Sequence, residues 1–279
     1  MNIGILNPGM MGAAVAQTMV NSGHHVHWIS AGRSDATRQR AEAAGLKELS
    51  SGAEMITTCE AIVCVCPPHA AVDVAEMVIQ AGFKGLYIDA NAIAPRTTKH
   101  IGSLMAAAGI DFVDGSIVGA PPTKPDMTWL YLSGPRASEV AEWFSAGPLG
   151  TELLDDKIGS ASALKMCFAA NSKGYNALLT SIMGTAEELG VREALEKQWD
   201  RYWPGFSEQK KEAATRVAYN KAWRFAGEME EMAKTWEDVN VPNGFFEAAA
   251  EVYTRIGHLR ESSGEQTIET VLKEVISDE

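Results

Sequence analysis

The chain has little cysteine and comparatively little positive charge. Its four cysteines, Cys59, Cys64, Cys66 and Cys167, form no Cys-x-x-Cys pair and have no histidine at zinc spacing, which argues against a metal site or a disulfide scaffold. Cys64 and Cys66 are two apart in an apolar run, so on a strand they share a face and read as buried, unreactive thiols. Lys and Arg number 24 against 36 Asp and Glu, a formal net charge of -12. General attraction to nucleic-acid phosphates needs clustered cations, so nucleic acid is not an expected partner. A local basic pocket for one phosphorylated cofactor remains compatible with that balance. No uninterrupted apolar stretch is long enough to span a bilayer, and the N-terminus is a strand-like run without a basic leader, so a cytoplasmic protein with no membrane partner is expected. His24, His25 and His27 resemble a metal cluster only superficially. No acidic or cysteine partner stands near them in sequence, and no metal is expected there.

What is present is ordinary globular material, 46% hydrophobic and 22% charged, in 279 residues. That length suits one or two domains. Short apolar runs alternate with helical patterns through the first half. The runs are Ile3–Leu6, His25–Ser30, Ala61–Cys66, Gly85–Asp89 and Asp111–Asp114, with a further strand at Thr128–Leu132. Helical stretches lie between them at Met11–Ser22, Ala36–Ala44, Val72–Gln80 and Thr97–Ala108. Continuous apolar strands separated by helices predict an α/β fold: a doubly wound, mostly parallel Rossmann sheet covered on both faces. From about Ser160 the strand-like runs vanish. Ser160–Leu189 contains no proline and repeats apolar residues at Leu164, Phe168, Tyr175, Leu178, Leu179 and Ile182, which predicts one long helix ending at Gly190. Helices over Ser207–Val239 and Phe245–Ile256 and a short terminal helix in the acidic tail complete an all-α part. The expected domains are therefore 1–157, nucleotide-binding, and 158–279, helical, carrying substrate and dimer contacts. The length of the first helix predicts a homodimer with intertwined C-terminal domains.

The first strand runs into Asn7-Pro8-Gly9-Met10-Met11-Gly12, a Gly-x-Gly-x-x-Gly fingerprint with asparagine in the first place. Gly9 lets backbone approach a pyrophosphate, and Gly12 lets the helix pack closely on the strand. Asn7 suits the turn because asparagine tolerates left-handed backbone. The helix start supplies N–H groups to the phosphates. After the second strand, where an acid would bind the ribose of NAD, stand Ser30 and then Arg33 and Ser34. Arg33 can pair with a 2′-phosphate and the serines can donate to it, so NADP(H) is expected over NAD(H). Asn91 follows a strand end, where ligand contacts gather in such sheets.

These landmarks, with Ile88–Pro95, Phe112–Ser116 and Gly159–Lys165 in the same order, resemble the β-hydroxyacid dehydrogenase superfamily. Its members include the 6-phosphogluconate and 3-hydroxyisobutyrate dehydrogenases and, more distantly, the imine reductases. Cys66-Pro67-Pro68-His69, Lys165-Met166-Cys167 and Ala222-Trp223-Arg224 resemble a branch with a C-terminal domain of unknown function. The resemblance implies that Cys66, Pro67 and His69 contact the cofactor, that Asn91 contacts the nicotinamide side or the substrate, and that Ser116 lies in a substrate loop. It also implies that Lys165 is general acid and base, at a cleft between the two domains. Ser172 and Lys173 follow Lys165 by seven and eight residues, with Asn176 at eleven, and could orient a substrate or simply be solvated. Arg224 and Glu228, four apart, form either a helix-surface pair or a closure of the active site. Three departures stand out: Asn7 for the first glycine, Ala169 where the dehydrogenases have an asparagine, and Gly227-Glu228 where they have a Lys-Asp pair. Three activities follow. The first is an NADP-dependent oxidoreductase for a small carbonyl, hydroxyl or imine substrate. The second is a non-redox lyase on the same scaffold, performing a retro-aldol or elimination step, and the third is a nucleotide-binding protein without turnover.

Overall fold

The structure, a computed structural model, describes residues 1–277. Two compact units make up the chain, Met1–Met166 and the remainder from Cys167. The first is an eight-stranded sheet: β1 (Asn2–Leu6), β2 (His25–Ile29), β3 (Lys47–Leu49), β4 (Ala61–Cys64), β5 (Leu86–Asp89), β6 (Asp111–Val118), β7 (Thr128–Ser133) and β8 (Leu149–Leu153). Its order is β3-β2-β1-β4-β5-β6-β7-β8, parallel throughout except where β6 meets β7. The chain starts in the middle of the sheet, winds outward to β3, then crosses over β1 to build the other half. That reversal leaves a crevice outside the carboxyl ends of β1 and β4. The helices of this unit are α1 (Met10–Asn21), α2 (Asp35–Ala43), α3 (Gly52–Thr58), α4 (Ala71–Gln80), α5 (Pro95–Ala107) and α6 (Ala137–Glu142), and α7 (Ser160–Ala169) begins in it.

Central strands are apolar on both faces because both faces are covered. Every residue of β4 and of β5 is buried. On one side Ile3, Ile5, Val63, Ile88 and Val113 pack with Val15 and Met19 of α1 and with Trp143. On the other, Ile62, Tyr87 and Phe112 pack with Ile101 and Met105 of α5. Each such side chain contributes about 1.5–3 kcal/mol through burial. Two strands escape the sequence pattern: β3 is short and polar, and β8 is exposed toward its end. Ser116 lies within β6 and not in a loop, because pairing with β7, Ser116 opposite Tyr131, carries the strand on to Val118.

The second unit is helical: α8 (Tyr175–Glu188), α9 (Arg192–Tyr202), α10 (Phe206–Asn220), α11 (Ala222–Asp238), α12 (Gly244–Ile256) and α13 (Ile268–Ile276). Met183, Ala214 and Leu272 lie at one centre of packing, and Phe225 and Tyr253 meet edge to face at 5.5 Å across α11 and α12. The expected single helix over Ser160–Leu189 is interrupted. Ala170–Gly174 forms one π-helical turn between α7 and α8. A π turn accommodates one extra residue without ending the helix, so hydrophobic period alone does not reveal it. The terminal helix of the acidic tail is α13, and residues 278 and 279 of that tail lie outside the described residues. No helix among the described residues is long and apolar enough to cross a membrane.

Candidate functional site

The turn after β1 is built around Asn7, whose φ of 61° lies in the left-handed region. The Gly9 N–H donates to the Asn7 carbonyl at 2.7 Å and closes the turn. A Cβ on Gly12 would come 2.5 Å from that same carbonyl oxygen, so glycine is required there by the turn itself. Gly9 differs. A Cβ on it would meet only the Asn7 oxygen at 4.0 Å, which leaves open space over its backbone. No side chain of the described residues caps α1, and no acid stands in its first turn, so the helix start keeps its positive end for a ligand. An open cradle over glycine at an uncapped helix start fits a dinucleotide pyrophosphate. Pro8 is buried beneath the turn, and Met10 stands exposed beside the half-buried Met11.

Beside this turn, Asn91 ties two strand ends together. Its Oδ1 accepts the Cys66 N–H at 2.6 Å, and its Nδ2 donates to Asp89 at 2.8 Å and lies 3.5 Å from the Cys64 sulfur. Asp89 also accepts the Asn91 backbone N–H at 3.0 Å. Burial pushes the Asp89 carboxyl well above the usual carboxylate range. The Cys64 sulfur, 3.6 Å away, and burial push the Cys66 thiol up. Asn91 thus works inward, holding the Cys66 backbone in place, while Pro67 and His69 stand exposed on the following turn. The three clustered histidines go separate ways: His24 packs edge-on to Trp143, His25 faces Lys47, and His27 bonds Asn2.

At the end of β2 the Ser30 hydroxyl donates to Glu48 of β3, and the Arg38 guanidinium bonds the Ser30 carbonyl at 3.3 Å and Glu48 at 3.7 Å. Ser34 caps α2, accepting the Thr37 N–H. Arg33 is exposed and carries no ion pair among the described residues. Sequence reasoning missed Arg38 and Glu48 because β3 has no apolar signature.

Lys165 on α7 is placed from β6. The Asp114 carboxylate, fully buried, accepts the Gly159 N–H at 2.9 Å, the Ser162 N–H at 3.1 Å, the Ser162 hydroxyl at 2.8 Å and the Ser133 hydroxyl at 3.0 Å. Burial pushes the Asp114 carboxyl up, and its Ser162, Ser133 and Gly159 donors pull it back. This carboxylate does the work of a helix cap from another element, satisfying amides that a helix start leaves over. One turn on, Lys165 Nζ donates to the Ile117 carbonyl at 2.5 Å. Its neighbour Ser116 is fully buried, and the Ser116 hydroxyl has no hydrogen-bond partner among the described residues.

In the helical unit, the π turn carries Ser172 and Lys173. Ser172 is exposed and bonds back to the Ala169 carbonyl, whereas Lys173 forms an ion pair with the buried Glu228. Arg224 does not pair with Glu228 as helix spacing suggested. Lys173 takes the carboxylate because the π turn brings it to α11, and the Tyr253 hydroxyl anchors the turn by donating to the Lys173 carbonyl at 2.6 Å. No group of three acidic, histidine or cysteine side chains among the described residues could hold a metal.

A family profile described as the NAD binding domain of 6-phosphogluconate dehydrogenase matches residues 2–141, and a domain of unknown function, DUF1932, matches residues 186–256. The mitochondrial 3-hydroxyisobutyrate dehydrogenase of Drosophila melanogaster is 26% identical over 200 residues, 70% of this chain and 60% of that protein. Among solved structures, the 3-hydroxyisobutyrate dehydrogenase of Mycobacterium tuberculosis superposes with a TM-score of 0.69 at 16% identity, covering 99% of both chains. The reductive aminase of Aspergillus terreus, solved with NADPH and ethyl levulinate, gives 0.55 at 17% identity over 98% of both.

Proposed function

Because the chain belongs to the family defined by the NAD binding domain of 6-phosphogluconate dehydrogenase, an oxidoreductase family, we propose that it is an NADP-dependent oxidoreductase of a small carbonyl, hydroxyl or imine substrate. Lys165 is its general acid and base. The observation that carries this reading is the seating of Lys165: the ammonium is held at 2.5 Å by the Ile117 carbonyl, on a helix whose start is fixed by Asp114. A nicotinamide bound there would supply or accept the hydride. Lys165 gives a proton to the substrate oxygen as it gains negative charge and removes one in the reverse direction. The buried Ser116 hydroxyl, without a hydrogen-bond partner among the described residues, stands one residue from the carbonyl that holds Lys165. Asn7, Pro8, Gly9, Met10, Met11 and Gly12 cradle the pyrophosphate. Ser30, Arg33 and Ser34 form the adenosine end, with Cys66, Pro67, His69 and Asn91 shaping the nucleotide's other side.

Ser172, Lys173, Arg224 and Glu228 serve the substrate from the helical domain. Four unpaired cysteines fit a reducing cytoplasm, and the exposed apolar faces of α8 and α12 fit a homodimer.

Substrate screening with absorbance of reduced nicotinamide as one readout and product analysis as the other tests the reaction. Lys165→Met should lower turnover at least about a hundredfold while cofactor affinity stays near wild type. Near-normal turnover in that variant sinks the assignment. Turnover with no change in nicotinamide absorbance would favour the lyase chemistry that Ala169, in place of an asparagine, leaves open.

A further inference from the structure

The ring of Phe225 on α11 is a meeting point for charge. Lys173 Nζ lies 4.6 Å from its centroid and the Arg224 guanidinium carbon 5.3 Å. The carboxylate nearest to Arg224 in sequence goes to Lys173 and not to Arg224. Glu228, buried one turn along α11 from Arg224, is spent on Lys173, and its position is fixed further because Tyr253 holds the Lys173 carbonyl and packs edge-on to Phe225. No carboxylate among the described residues pairs with Arg224.

The surroundings add to the excess. From Arg216 to Arg224 the sequence RVAYNKAWR contains three cations and no acid, and neither Arg216 nor Lys221 has a carboxylate partner among the described residues. Burial, Arg224 and Arg216 together hold the Lys221 amine below its ordinary value, and surrounding protein lowers Arg224 as well. In a chain of net charge -12, a cationic run left without acids is an exception that gathers positive potential on one stretch of surface. Such a potential favours a counter-charge from outside the chain. The planar fork of arginine takes a carboxylate or phosphate through two parallel hydrogen bonds, which a lysine cannot do.

We infer that Arg224 is the receptor for an anionic group on the substrate, a carboxylate or a phosphate, with Lys221 and Arg216 supplying the surrounding positive field. The Lys173–Glu228 pair then acts as the support that keeps Glu228 from quenching Arg224. This deepens the oxidoreductase reading and rests on it for the word substrate. The same observations would serve a regulatory anion equally, and both sources share one recognition chemistry.

Calorimetric titration of malonate, inorganic phosphate and neutral malonamide into the full-length protein, with and without NADPH, tests it. At least one anion should bind and malonamide should not. Arg224→Gln should weaken that anion at least about tenfold, with Arg224→Lys intermediate and Lys221→Gln milder, all at unchanged thermal midpoint. Binding of malonate alone assigns a carboxylate, and of phosphate alone a phosphate ester. A substrate group should bind better with NADPH present, whereas equal binding with and without it points to a regulatory anion. Failure of both anions to bind wild type, or equal binding by Arg224→Gln, overturns the inference. A loss of NADPH affinity in Arg224→Gln as large as the loss of anion affinity would assign the charge to the cofactor and overturn it too. If NADPH fails to bind wild type while the anion still depends on Arg224, the oxidoreductase reading falls and the receptor stands.

Discussion

Arg33 and Asn7 illustrate how far single residues reveal their task. Asn7 is left-handed and Gly12 has no room for a Cβ, both as a short turn between strand and helix demands, and neither needs knowledge of distant contacts. The adenosine end is different. Ser30 and Arg33 follow β2 as expected, but Ser30 is engaged by Glu48, which the pairing of β2 with β3 brings near, and by Arg38 of α2. Glu48 adds a negative charge where a 2′-phosphate would come, and Arg38 offsets it. The proposed preference then rests on Arg33. NADPH should bind more tightly than NADH, and Arg33→Ala should weaken NADPH about tenfold or more while leaving NADH unchanged. Fluorescence titration of both cofactors checks this, and equal wild-type affinities would remove the basis for NADP selectivity.

Among elements, the central strands were legible because burial on both faces leaves unbroken apolar runs, as in Ala61–Cys64 and Leu86–Asp89. Lys47–Leu49 at the sheet edge has no such need and went unread. The π turn at Ala170–Gly174 was hidden because its flanking helices keep their apolar period. Its effect is chemical, since it delivers Lys173 to Glu228. Beyond it, α8 and α12 enclose an apolar groove of about 560 Å³, lined by Tyr175, Leu178, Phe245, Phe246, Ala249 and Val252. Phe245 is 71% exposed and Tyr175 44%, an unusual display for a monomer's surface. A second copy of the chain should cover it. Sedimentation equilibrium should show a dimer at micromolar concentration, and Phe245→Asp with Leu178→Asp should weaken association about thirtyfold or more, roughly 2 kcal/mol. A wild-type monomer under those conditions would refute the dimer.

At the scale of the whole molecule, the mostly parallel, doubly wound sheet follows from the alternation of apolar runs and helices. The long-range polar contacts do not. Asp114 meets Gly159 and Ser162 some 45 to 48 positions later in the chain, and no local pattern announces that meeting. Its carboxylate ties the beginning of α7 to the middle of the sheet, and this has a consequence in time as well as space. First-turn amides of a helix normally fray and exchange their hydrogens quickly. The Gly159 and Ser162 amides should instead exchange with deuterium as slowly as those of the central strands, because freeing them requires the sheet to open. Both amides donate to one carboxylate oxygen, which Asp114→Ala removes, so exchange at both should accelerate by about one to two orders of magnitude, matching the roughly 1–3 kcal/mol lost with an ionic acceptor. Unchanged exchange in that variant would mean that packing alone holds the helix start. Slow amides here would make the lifetime of a single buried carboxylate contact the clock that sets how long Lys165 keeps its place.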